Sequence, residues 1–243
     1  MNATQNIENV ALFGSLAADW WDPDGQSKLL HRINPVRLGF IREALVDHFG
    51  LDSRARHALS GLAALDIGCG AGLVAEPLAR MGASVEGIDA GDAVISVARA
   101  HAEGQGLSIA YHAGDVLAFA DANAGRFDFI TCLEVLEHVL DVQAFINAIA
   151  CLLKPGGLLI YSTPNRTPQS WAVLIAGAEK ILRLIPEGGH SWSQFLKPDE
   201  LVQKLAQAGL RPDRLAGISW GPAKGFHVSD DQTVNYIGTA LKP

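Results

Sequence analysis

A chain of 243 residues, 49% of them hydrophobic, is long enough for one sizeable α/β core and too short for two large domains. Its formal net charge of −7 argues against a general nucleic-acid binder, which carries a basic face. Three cysteines, Cys69, Cys132 and Cys151, form neither a CxxC pair nor an even set, so they read as small core residues in a reducing cytosol rather than a disulfide framework.

The stretch MNATQNIENVALF lacks the basic region, apolar run and cleavage site of a signal peptide, and no stretch reaches the roughly 18 apolar residues of a membrane span. Helices are predicted around residues 8–21 and 35–49, with the turn-like WDPDG between them. From Leu62 onward LAALDIG, SVEGID, LSIAYHAGD, FDFITC and GLLIYST read as strands, and the stretches between several of them have helical spacing. That alternation predicts an α/β fold, a mostly parallel sheet with helices on both faces. PDELVQKLAQAG then reads as a helix, with Pro198 at its start and Gly209 just past its end, and TVNYIGTAL as a strand.

Sheets of this kind bind ligands at the carboxyl ends of their strands, and Asp66, Asp89, Asp115 and Glu134 all fall at or near such ends. LAALDIG runs into GCGAG, whose Gly68, Gly70 and Gly72 let backbone approach a ligand while the next helix offers its amino-terminal amides. The spacing is G-x-G-x-G, one residue short of the dinucleotide fingerprint, and a tight structural turn is the plain alternative. Asp89 closes VEGID, where a carboxylate accepts two ribose hydroxyls, although a helix cap is its ordinary reading. Asp115 in AGDV suits an adenine amino group and equally suits a turn or cap.

With the LEHV stretch and the LKPGG turn, this order of motifs resembles the class I S-adenosylmethionine-dependent methyltransferases over residues 62–163; an NAD enzyme is the rival that the glycine spacing and LKPGG disfavour. FGSLAADWWDPDGQSKLLHRINPVR, STPNR, GAEKILRLIPEGGHSW, FLKPDEL and VNYI look, across nearly the whole chain, like the ubiquinone-biosynthesis O-methyltransferases. The resemblance implies a Rossmann-like, mostly parallel seven-stranded sheet with an amino-terminal helical extension (1–60), a cofactor-binding core (61–163), a helical insert after strand five (164–197) and a carboxyl-terminal part of the core (198–243), all one domain. It implies O-methylation of a catechol-like ring bearing a polyprenyl tail, on 2-polyprenyl-6-hydroxyphenol or demethylubiquinol, with association into a quinone-synthesis assembly as a further expectation. Through the same resemblance Arg37 of NPVR matches a cofactor-contacting arginine, Gly68 the loop glycine, Asp89 the ribose aspartate and Leu133 a residue lining the adenosine side. Without it, Arg37 reads as a surface charge and Leu133 as core.

TCLEVLEHVLD places Glu134, Glu137 and His138 in an otherwise apolar stretch, where unpaired burial costs several kcal/mol for each group. Methyl transfer from a sulfonium to a phenol needs alignment and a phenolate, and a phenol is only roughly one part in a thousand ionised at pH 7. A divalent cation touching both catechol oxygens would supply the phenolate. The i, i+3, i+4 spacing places the three residues on one side if the segment turns helically. Two carboxylates suit magnesium, an imidazole admits manganese, iron, cobalt or zinc, and family members are described as binding a divalent metal at the matching positions. The alternative leaves the metal out: the acid and histidine hydrogen-bond the neighbouring loop or a substrate, with His138 as a general base.

SWAVLIAGAEKILRLI concentrates Trp171, Val173, Leu174, Ile175, Ile181, Leu182, Leu184 and Ile185, with Lys180 and Arg183 among them, as an amphipathic helix lying in a lipid interface does. A lid or a core helix is the alternative, with EGGHSW as a hinge and its His190 as a second, weaker candidate base. Trp20 and Trp21 are candidates for the substrate mouth or for helix packing. The resulting expectation is a cytoplasmic enzyme held peripherally at the inner face of a membrane. Its rivals are a metal-independent methyltransferase of another small phenol and a non-catalytic quinone- or lipid-binding subunit, the latter disfavoured by the intact glycine loop with Asp89.

Overall fold

A computed structural model describes residues 19–25, 27–174 and 192–243. Most of the helix expected at residues 8–21, most of the apolar insert and His190 lie outside the described residues. Helix α1 (Lys28–Phe49) starts well before its expected first residue, because Pro35 is carried inside it at the loss of one backbone N–H rather than opening it. Its buried residues Asn34, Arg37, Ile41, Ala44 and Leu45 follow helical spacing, so a stripe that is apolar at one end is polar at the other.

The sheet has eight strands in the order β3-β2-β1-β4-β5-β8-β6-β7. Strands β1 (Ala63–Ile67), β2 (Ser84–Asp89), β3 (Ala110–Ala113), β4 (Phe127–Leu133) and β5 (Leu153–Pro164) pair in parallel. β6 (Arg211–Gly221), β7 (Gly225–Ser229) and β8 (Asn235–Leu241) complete it by antiparallel pairing. The expected seven strands become eight because β6 and β7 form a hairpin whose alternating exposure lacks a continuous apolar signal.

Helices α2 (Ala75–Arg80), α3 (Asp92–Gly104), α4 (Val116–Ala122), α5 (Val142–Leu152) and α7 (Pro198–Gln207) cover the sheet, and a short α6 (Pro168–Ser170) follows β5. The pleat sends alternate β5 side chains to opposite layers. Leu158 and Ile160 join Ile41 and Leu45 of α1 with Leu78 of α2, while Leu159 and Tyr161 join Ile149 of α5 with Leu205 of α7. α1, α2 and α3 thus pack on one face, and α4, α5 and α7 on the other.

The strap entering β8 is pinned to the end of β5: Asn165 donates from its backbone N to the Val234 carbonyl (3.0 Å) and from Nδ2 to the Gln232 carbonyl (2.8 Å). It runs so close to β6 that a Cβ at Gly217 would lie 1.7 Å from the Asp231 carbonyl oxygen. Gly217→Ala should therefore cost about 2 kcal/mol by overpacking against backbone, read as a lower urea midpoint with an unchanged slope.

Candidate functional site

The glycine loop joins β1 to α2. Gly68, Gly70 and Gly72 have φ of 67°, 54° and 95°, a region that side-chain-bearing residues rarely adopt. Each is also overlaid: a Cβ would meet Val135 at 2.3 Å from Gly68, Trp20 at 2.8 Å from Gly70 and the Tyr111 hydroxyl at 2.3 Å from Gly72. Asp89 ends β2 beside the loop, its Oδ2 accepting from the Gly70 amide and its Oδ1 from the Gly91 amide, both at 3.0 Å. Burial raises the Asp89 pKa while these amide bonds lower it. Asp89 does not cap α3, whose first turn follows Gly91. Asp115 does serve as a cap, its Oδ1 accepting from Leu117 N (2.8 Å) and Ala118 N (3.4 Å) of α4.

The loop's neighbour on the α1 side is a buried charge cluster. Arg37 is 3% exposed; its Nη2 donates to Asn34 Oδ1 at 3.3 Å, and its buried Nε has no partner. Asn34 in turn donates to the Leu73 carbonyl (2.7 Å), tying α1 to the end of the loop. Burial lowers the Arg37 pKa, against the opposing charges of Glu134, Asp66 and Glu137. Asp66 on β1 accepts from Thr131 Oγ1 at 2.7 Å, and its pKa is pushed up to about 7, burial outweighing the help from Thr131 and Arg37.

Glu134 follows β4 with φ 56°, and among the described residues it alone is a non-glycine with positive φ. Such a conformation costs of order 1–3 kcal/mol and survives only where its surroundings impose it. Here the Glu134 amide donates to the Ser162 carbonyl (2.9 Å), Oε1 accepts from Ser162 Oγ (2.6 Å) and Oε2 from Asn235 Nδ2 (2.9 Å). Glu137 and His138 sit on the single 3-10 turn Leu136–His138 that follows. Glu137 is 1% exposed; Oε2 accepts from Thr163 Oγ1 (2.8 Å), Oε1 is buried without a partner, and burial, then the Glu134 charge, raises its pKa well above the carboxylate range.

The Glu134 and Glu137 carboxyls of the expected metal triad are each held by protein donors. The left-handed turn at Glu134 breaks the helical course that would align i, i+3 and i+4. Glu134 is drawn to Ser162, and Glu137 to Thr163, adjacent β5 residues whose side chains leave on opposite faces. Both Glu134 oxygens already accept protein hydrogen bonds, and among the described residues no three His, Cys, Asp or Glu side chains are placed to hold a metal ion. Of their four carboxyl oxygens, Glu137 Oε1 alone is left without a protein donor.

Leu133, 8% exposed, ends β4 beside Glu134, between the glycine loop's strand and β5. Trp20 and Trp21 lie not in a helix but in the turn before α1, packed on the glycine loop. The residues that sequence reasoning missed are Asn34, Thr131, Ser162, Thr163 and Asn235, all buried polar groups at the same edge. Their signal was polarity at positions that strand and helix periodicity assign to the interior, as in the STPN that ends LLIY.

A family model described as a methyltransferase domain matches residues 42–215. The ubiquinone biosynthesis O-methyltransferase of Azorhizobium caulinodans is 47% identical over 237 residues, 97% of this chain and 93% of that protein. That of Cereibacter sphaeroides is 45% identical over 247 residues, covering 100% of each. Among solved structures, magnesium protoporphyrin IX methyltransferase from Synechocystis PCC 6803 with bound SAH superposes with a TM-score of 0.65 at 24% identity, over 98% of this chain and 99% of that one, a likeness of fold. Relatives this similar along the whole length settle the family: the chain belongs to the ubiquinone biosynthesis O-methyltransferases.

Proposed function

We propose that the chain methylates a phenolic hydroxyl of a polyprenylated phenol or quinol with S-adenosylmethionine, at the carboxyl edge of the sheet. The observation that carries this reading is the Arg37 cluster: a buried guanidinium with an unused Nε beside the glycine loop, outnumbered by the carboxyls of Glu134, Asp66 and Glu137. A zwitterionic amino-acid end matches it, its carboxylate to Arg37 and its ammonium to the carboxyl groups. Gly68, Gly70 and Gly72 supply close backbone approach, Asp89 keeps lone pairs for ribose hydroxyls, and Leu133 and Asp115 are assigned to the adenosine side. The bound cofactor supplies an electrophilic methyl group on a cationic sulfur.

His138, half-buried on the turn after Glu134, is the residue assigned to take the phenolic proton. Glu137 holds that turn to β5 through Thr163, and Glu134 holds its start through Ser162 and Asn235. Glu134 and Glu137 are held by protein donors, and this reading routes no step through a cation. Turnover of a short-tailed demethylubiquinol should thus yield a product heavier by one CH2 in mass spectrometry, and a chelator should leave the rate unchanged. A rate abolished by chelator and restored by magnesium, manganese or zinc would overturn the metal-free assignment.

Asp66 adds a pH signature. Its raised pKa means that the folded chain keeps a proton which the unfolded chain releases above 3.8, so this residue's contribution to stability is present at low pH and lost as pH rises through about 7. A ligand ammonium favours the ionised form, and binding below about pH 7 must first expel the proton. Calorimetric affinity for S-adenosylhomocysteine should rise by up to about tenfold per unit between about pH 6 and pH 7, level off above, and lose this slope in Asp66→Asn.

Contact with lipid is supported by exposed apolar side chains on both sides of the insert: Trp171 (49%), Val173 (50%) and Trp192 (38%), with Leu140 (60%) beyond the His138 turn. The Trp192 indole donates to the Thr167 carbonyl at 2.9 Å, bringing the two flanks together. Among the described residues no helix is long and apolar enough to cross a membrane, so the reading is peripheral attachment at the inner face, with a quinone-synthesis assembly as a compatible setting. The double variant Trp171→Asp/Val173→Asp should sediment less with anionic liposomes while binding S-adenosylhomocysteine as before; unchanged sedimentation would remove this surface from the membrane.

A further inference from the structure

The turn before α1 is fastened to the glycine loop by a closed ring of contacts that the roles above do not use. Glu76 in the first turn of α2 is 1% exposed, and its amide donates to the Gly72 carbonyl at 3.0 Å. Its Oε1 lies 2.6 Å from His101 Nδ1 of α3, and Arg80 approaches Oε2 at 3.3 Å. The His101 ring stacks on Trp21 with centroids 3.6 Å apart and planes 10° from parallel. Trp21 closes the ring by donating from Nε1 to the Ala71 carbonyl at 3.0 Å. His31 of α1 adds a second hold, its Nε2 lying 2.9 Å from the Trp20 carbonyl oxygen.

The consequence is the position of Trp20. Beside a surface turn, its indole is only 9% exposed, because it lies over Gly70 and packs with Ala71, Leu73 and Val94. Gly70 is the residue whose amide Asp89 orients. An indole fixed there excludes water from one flank of the loop, which strengthens hydrogen bonds the loop offers to a ligand, and fixing it before binding lowers the ordering cost.

We propose that the Trp20–Trp21 turn is a wall of the cofactor site, and that Glu76 and His101 are the positioning pair that holds this wall closed over Gly70. The inference rests on the glycine loop being the cofactor cradle. The buried carboxylate of Glu76 has a purpose in this arrangement: it fixes the imidazole plane on which Trp21 stacks, and Trp21 sets the turn that carries Trp20.

The test uses the full-length protein, S-adenosylhomocysteine as ligand, calorimetry for affinity and tryptophan emission for the wall itself. Wild type that fails to bind would refute the cradle, separately from the wall. Given wild-type binding, Trp20→Ala, His101→Ala and Glu76→Ala should each weaken affinity about tenfold, and Glu76→Gln, which keeps an acceptor for His101 Nδ1, should recover most of the loss. A merely structural role predicts lower thermal midpoints without this selective rescue. Ligand binding should also change the emission of wild type, and Trp20→Phe should remove most of that change. That conservative variant carries the test if an alanine variant does not fold. Unchanged affinity in the alanine variants, or a full emission change in Trp20→Phe, overturns the proposal.

Discussion

The constraint on which the rest depends is the burial of one guanidinium among three carboxyl groups. Arg37, Asp66, Glu134 and Glu137 interact electrostatically at the carboxyl edge of a sheet whose interior is otherwise apolar. Unpaired, each would cost several kcal/mol to bury, so their neighbours are not free to vary. Thr131 must donate to Asp66, Ser162 and Asn235 to Glu134, and Thr163 to Glu137. What protein donors do not cover is met by protonation: Asp66 rises to about 7 and Glu137 rises well above the carboxylate range. A ligand bringing both a carboxylate and a cationic group finds a complement in what is left, the unused Arg37 Nε and carboxyl groups ready to ionise beside positive charge.

The pleat decides which groups can meet. Ser162 and Thr163 are neighbours in sequence but face different layers, and each captures a different glutamate of LEVLEH. A single left-handed residue, Glu134, turns the chain from β4 toward both captures. The strain there is imposed from three directions: the Ser162 backbone, the Ser162 hydroxyl and the Asn235 amide. This is an arrangement that a helix could not make, since a helix would put both acids on one side.

That difference also marks the limit of what the sequence discloses. Local rules found the parallel core, the glycine loop, Asp89 beside it and α7 between Pro198 and Gly209, because each is written in residues close together in the chain. They did not place the partners of Glu134 and Glu137, at positions 162, 163 and 235, because these are remote from position 134. They set the start of α1 at Pro35, since proline opens helices more often than it sits inside them. They missed β6 and β7 because a half-exposed hairpin buries too little to leave a pattern. The importance of Arg37 came only through resemblance. The polar end of an otherwise apolar helical stripe at Asn34 and Arg37 would have signalled it directly.

The same remoteness explains how the edge is assembled. Asn34 and Arg37 come from the first described helix, Asn235 from the last strand, and they meet around the end of β4 in the middle of the chain. Asn34 fastens to the Leu73 carbonyl just past the glycine loop, and Asn235 fastens to Glu134, so the two chain regions brace opposite sides of one site. Both bonds join positions far apart in sequence, so their loop-closure entropy is met by the pairings and packing of the whole sheet. The apolar layers on the two faces supply that driving force, and the polar edge draws on it without adding much of its own. The site is thereby fixed by the whole fold rather than by its own hydrogen bonds. Such rigidity suits a reaction that asks the protein to align an oxygen, a methyl carbon and a sulfur and otherwise to stay still.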